Sequence, residues 1–132
     1  MKKLNIVALI EYGSETGIEY LYELMRREIK IDSIVCIGDE YPERRKELLE
    51  KRTGGLFKKK SFSDFFQNKI VPIYIIDDVN SEQCNKILNF LNPDLIVFEG
   101  SKIIRNNIFE IPKYGMLNVH LAILPYLRGC SC

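Results

Sequence analysis

The chain has 132 residues, of which 46% are hydrophobic and 28% charged, with a net charge of +1. That is enough chain for one domain with a sizeable core, and the near-neutral balance excludes the long-range field that draws in nucleic acid or an anionic membrane. The apolar runs fall far short of the ~20 residues a membrane span needs. Glu11 cuts the first of them short with no small-residue cleavage site behind it, so a cytoplasmic location is expected.

Residues 4–10, Leu-Asn-Ile-Val-Ala-Leu-Ile, are short, β-branched and almost continuously apolar, the pattern of a strand buried on both faces. Gly13-Ser14-Glu15-Thr16-Gly17 turns into a helix whose apolar positions Ile18, Leu21, Leu24, Met25 and Ile29 recur at helical spacing. Residues 33–37 form a second strand, ended by Gly38-Asp39, and Pro42 starts a charged helix running to about Lys51. Strand, helix, strand, helix is the signature of a parallel sheet with right-handed crossovers.

Residues 52–60 interrupt that pattern with Gly54-Gly55 and the basic run Lys58-Lys59-Lys60, and Ser61 caps a short helix over 62–69. A third strand covers 71–76, with Pro72 where a missing donor is tolerated. Asn80 and Gln83 have capping-box spacing ahead of Ile87, Leu88 and Leu91. Asn92-Pro93 ends that helix, because a residue preceding proline avoids helical angles. Strand four spans 95–98, a helical turn 108–111, and a last strand 116–119. The expected fold is one α/β domain: an open, mostly parallel Rossmann-like sheet with helices on both faces. Its ligands belong outside the carboxyl ends of the strands, near a reversal of strand order.

Cys36 lies in an apolar run and reads as a buried, reduced thiol. Cys130-Ser131-Cys132 is too tightly spaced for a zinc knuckle, so no metal is expected.

Three candidate sites follow. The turn at Gly13 and Ser14 offers helix N-terminal amides that suit a phosphate or carboxylate, although it is neither a dinucleotide fingerprint nor a P-loop. A glycine-containing turn with Ser14 or Thr16 as cap is the plainer alternative. The second is Lys102, Ile103 and Ile104, after strand four. Those isoleucines either wall a pocket for a flat heteroaromatic ligand or plug the domain's own core. The third is Asn118 and His120, the only histidine, followed by the proline-containing loop 121–129. Residues two apart on a strand share a face, so the carboxamide would donate to a developing oxyanion while the imidazole supports it or moves a proton.

Pro93-Asp94-Leu95-Ile96-Val97, then the run Ile111-Pro112-Lys113-Tyr114-Gly115-Met116-Leu117-Asn118-Val119-His120, then Leu124-Pro125-Tyr126-Leu127-Arg128-Gly129 resemble the folate-dependent formyltransferases. The match is dense over about residues 92–129 and only architectural before them. The resemblance implies that residues 1–132 are the folate-side half of an N-terminal catalytic domain. It also implies N10-formyltetrahydrofolate as co-substrate and an amine acceptor, with an amino sugar among the candidates. Asn118 would bind the formyl oxygen, His120 would support the oxyanion, Lys102 to Ile104 would hold the pterin, and Gly13 and Ser14 would face the acceptor. Two departures stand out. Ala122 replaces a small, usually hydroxylated residue, and the family's aspartate would lie beyond Cys132, so this chain alone is expected to be inactive and to self-associate through an exposed sheet edge. A degenerate ligand-binding module and a formyltetrahydrofolate hydrolase use the same residues and remain alternatives.

Overall fold

The structure, a computed structural model, describes residues 3–38, 43–56, 71–119 and Tyr126. In chain order the elements are β1 (Ile6–Glu11), α1 (Glu15–Arg26), β2 (Ser33–Ile37), α2 (Glu43–Thr53), β3 (Ile73–Ile76), α3 (Glu82–Leu91), β4 (Leu95–Glu99), α4 (Asn106–Phe109) and β5 (Met116–Asn118). The expected helix at 62–69, the basic run 58–60, Pro42, His120, Ala122 and the Cys130–Cys132 pair lie outside the described residues.

The five strands form one sheet in the order β3-β2-β1-β4-β5, and every pairing is parallel. The α/β Rossmann-like reading therefore holds, with the sheet wholly rather than mostly parallel among the described residues. β1 is central and apolar on both faces: Val7, Ala8, Leu9 and Ile10 are all at most 1% exposed. Alternation divides them. Val7 and Leu9 join Val35, Ile96, Phe98, Leu88 and Ile108 in a core beneath α3 and α4. Ala8 and Ile10 join Leu21, Ile34 and Cys36 in a second core on the α1 side. Helices thus cover both faces, as a parallel sheet requires. α2 contributes little to either core; none of its described side chains is buried.

Several boundaries differ from expectation for local reasons. β1 begins at Ile6 rather than at residue 4 because Asn5 is otherwise engaged. Its backbone N–H donates to Asp94 Oδ2 (2.9 Å) and its carboxamide to the Leu91 and Asn92 carbonyls (2.7 and 3.1 Å), so it closes the C-terminus of α3 from across the sheet. The cap of α3 is Ser81, not Asn80: Ser81 Oγ accepts from the Cys84 N–H at 3.1 Å. Asn92 ends that helix with φ 47°, in the left-handed region. β3 starts at Ile73, two residues late, while the Pro72 carbonyl still accepts from the Ile34 N–H. α4 occupies Asn106–Phe109, two residues ahead of the expected turn, since the Arg105 carbonyl accepts from both Ile108 and Phe109. β4 runs one residue longer than expected and β5 one shorter.

Cys36 and Cys84 are buried free thiols. Burial pushes each pKa up to about 11, and at Cys84 the Asp78 carboxylate adds to the shift. Because the native protein then holds these protons more tightly than the unfolded chain, their contribution to stability is intact below about pH 9 and is lost as pH rises toward 11. Stability measured by denaturant titration is expected to fall across that window, and both thiols to resist iodoacetamide at pH 7 until the chain unfolds. Among the described residues no helix is long and apolar enough to cross a membrane, and no group of three His, Cys, Asp or Glu side chains is placed to hold a metal.

Candidate active site

Strand order reverses between β1 and β4, so the chain leaves their carboxyl ends in opposite directions and a crevice opens there. On the β1 side Gly13 takes φ 67°, a conformation that favours glycine. Ser14 follows, fully buried, with its Oγ accepting from the Gly17 N–H at 3.1 Å as the N-cap of α1. Gly17 is small for a packing reason: a Cβ there would stand 3.0 Å from Glu99 Oε2 and 3.3 Å from Ile10 Cβ. The helix start thus lies directly against the end of β4. Removing the cap by Ser14→Ala is expected to cost about 1 kcal/mol of stability in thermal or denaturant unfolding. A larger effect on ligand affinity than on stability would show that Ser14 also meets a ligand.

The loop after β4 is fastened at two points. Glu11 Oε1 accepts from both the backbone N–H (2.8 Å) and the hydroxyl (2.7 Å) of Ser101, linking the exit of β1 to that of β4. Asn80 holds the other end. Its Nδ2 donates to the Ile103 carbonyl (2.9 Å) and its Oδ1 accepts from the Arg105 N–H (2.8 Å). Between these fastenings the two isoleucines separate. Ile104 packs on the α3-side core, whereas Ile103 is 85% exposed. One therefore plugs the interior and the other stands outward as an apolar surface beside a pinned backbone, a combination able to support a flat heteroaromatic ring. Lys102 lies next to it, exposed. Tyr20 also faces this end of the sheet; burial and, secondarily, the Glu99 carboxylate raise its pKa.

β5 contributes Asn118, opposite Phe98 in the parallel register. Met116 packs on the α3-side core, so alternation places Asn118 on the same face, beyond the core's edge. It is exposed. Phe98, Ile104 and Asn118 therefore share one face at one end of the sheet, while Leu117 and Val119, 57% and 63% exposed, belong to the other. Gly13 and Ser14 sit at the same carboxyl edge but across β4. Glu11 and Asn80 are participants that the sequence reading did not assign to the site. Asn80 was legible in part: Asn80-Ser81 sets two cap-type residues side by side, and only one can cap.

An α/β Rossmann-like sheet with a carboxamide and a pinned apolar loop at its carboxyl edge is the arrangement the structure shows. No family model matches the chain. It is 37% identical over 70 residues to a methionyl-tRNA formyltransferase of Dictyoglomus turgidum, covering 52% of this chain and 22% of that protein. It is 32% identical over 118 residues to the bifunctional polymyxin resistance protein ArnA of Wigglesworthia glossinidia brevipalpis, covering 89% of this chain and 16% of that one. A methionyl-tRNA formyltransferase of Bacillus thuringiensis shares 55% identity over 40 residues, covering 30% of this chain and 13% of the relative. The matched segment thus spans about a fifth or less of the length of these relatives. The likeness to proteins named methionyl-tRNA formyltransferase supports a place for this chain among the formyltransferases.

Proposed function

We propose that this chain carries the donor-binding half of an enzyme that moves a formyl group from N10-formyltetrahydrofolate to an amine, in a cytoplasmic setting. The observation that supports this reading best is the position of Asn118: exposed at the last residue of β5, opposite Phe98, on the face that also bears Ile104. A carboxamide there donates to the formyl oxygen as the amine attacks and that oxygen becomes negative, which is where a hydrogen bond gains most. His120, two residues on, supplies a positive charge or accepts the amine's proton. The exposed Ile103 and the backbone from Lys102 to Ile104 hold the pterin of the donor, and Gly13 and Ser14 face the acceptor.

For the acceptor we favour an amino sugar over a charged tRNA. A net charge of +1 provides little attraction for a polyanion. We also propose that chains associate through β5, the outer strand of the sheet among the described residues, where Leu117 is 57% exposed.

The test is titration of the full-length gene product with a non-reactive analogue of the folate donor, followed by product analysis with and without amino sugars. Saturable binding and a formylated amine are expected. Formate released at the same rate whether or not an amine is present would identify a hydrolase. Binding with neither a formylated amine nor released formate would identify a degenerate ligand-binding module, and no binding at all would remove the folate-donor reading.

A further inference from the structure

We propose that Asn80 is a positioning residue for the formyl donor: its carboxamide brackets the loop after β4 and sets the backbone against which the donor's ring lies. This inference rests on the folate-donor reading above. Three observations carry it. First, Asn80 is released from capping duty, since Ser81 caps α3, and its side chain instead reaches a loop 23 to 25 residues away with both of its polar atoms used. Second, the bracket is itself anchored. The Asn80 N–H donates to Asp78 Oδ1 at 2.7 Å, the Asn107 carboxamide donates to the Asn80 carbonyl at 3.4 Å, and Asn85 Nδ2 donates to the Asn107 carbonyl at 2.6 Å. The turn before α3 and the segment before and within α4 therefore form one hydrogen-bonded unit. Third, the two bonds fall on either side of Ile104, whose side chain packs inward while that of Ile103 stands out.

That arrangement selects one backbone conformation. With the Ile103 carbonyl turned to Asn80 and the Arg105 N–H satisfied by the same amide, the peptide groups between them have little rotational freedom. The apolar side chain of Ile103 is then presented in one orientation. Without the bracket the loop would have to be ordered by the ligand, and affinity would fall by the cost of that ordering. Asn80 touches no reacting atom in this scheme; its effect belongs to donor binding and not to the chemical step.

The experiment uses the full-length gene product and a non-reactive folate-donor analogue, with Asn80→Ala, Asn80→Asp and, as a control on the adjoining helix α3, Lys86→Ala. Loss of both bonds in Asn80→Ala is expected to weaken analogue affinity about tenfold and to speed hydrogen exchange at the Arg105 amide. The β1 and β2 amides should be unaffected. Asn80→Asp keeps the acceptor for Arg105 but sets a carboxylate against the Ile103 carbonyl, so Arg105 should stay protected while affinity still falls. In turnover assays the donor KM should rise with kcat within about twofold of the parent. The Lys86 variant should match the parent throughout. A parent protein that binds the analogue, together with Asn80 variants that bind it equally well, would overturn the role of Asn80 and leave the formyltransferase reading standing. Equal losses of donor affinity and acceptor affinity, accompanied by faster exchange throughout the sheet, would reduce Asn80 to a purely structural residue. A parent that binds no folate analogue would remove both readings.

Discussion

Asn118→Ala is expected to lower formyl transfer by the full-length gene product a hundredfold or more, with donor affinity and melting temperature little changed. The asymmetry follows from where the side chain stands. It lies beyond the edge of the α3-side core and is exposed, so its removal opens no cavity. Under the proposed function it would be the hydrogen-bond donor that meets the developing negative charge, and a donor of that kind acts mainly on kcat. Steady-state kinetics with thermal unfolding on the same sample decides the matter. An unchanged kcat would remove Asn118 from the chemistry, and a fall in melting temperature matching the fall in rate would assign it a structural role.

Leu9→Ala should have the largest effect on stability. Leu9 is fully buried at the middle of the central strand, flanked by Val35 on β2 and Phe98 on β4. Its side chain belongs to the core that also holds Leu88 of α3 and Ile108 of α4. Truncation at such a site removes the transfer free energy of three carbons and leaves a cavity that paired strands cannot close. The combined loss is about 2–5 kcal/mol in a fold whose whole stability is on the order of 5–15 kcal/mol. The midpoint of thermal unfolding should fall by roughly 10 °C or more. A loss below about 1 kcal/mol would mean that the two-sided packing of β1 is looser than described.

Much of the architecture was legible because it depends on periodicity, which is local. β2 was read to the residue, Ser33–Ile37, since a short apolar run bounded by Asp32 and Gly38 has one interpretation. Boundaries shifted where a polar side chain made a distant bond. Asn5 looks like part of a strand until its partners at Leu91, Asn92 and Asp94 are known. Asn80 has a helix cap's spacing to Gln83, but its neighbour takes the role and it serves a loop that follows in sequence. Spacing also left open whether Ile103 and Ile104 belonged to the core or to a pocket wall, and the loop answers differently for each. Glu11 was visible only as the end of an apolar run, because its engagement with Ser101 spans 90 residues. The candidate site is built largely from such long-range contacts, so its residue types could be read from the chain before its geometry could.

β5 has three residues and is hydrogen-bonded, among the described residues, to β4 alone. Ladder ends fray before interiors do, so warming should loosen this outermost rung while the middle strands stay zipped. Under the proposed function the oxyanion donor rides on that rung. Heat would then silence the enzyme some degrees before it melts, and a substrate analogue that grips the rung would restore the missing degrees.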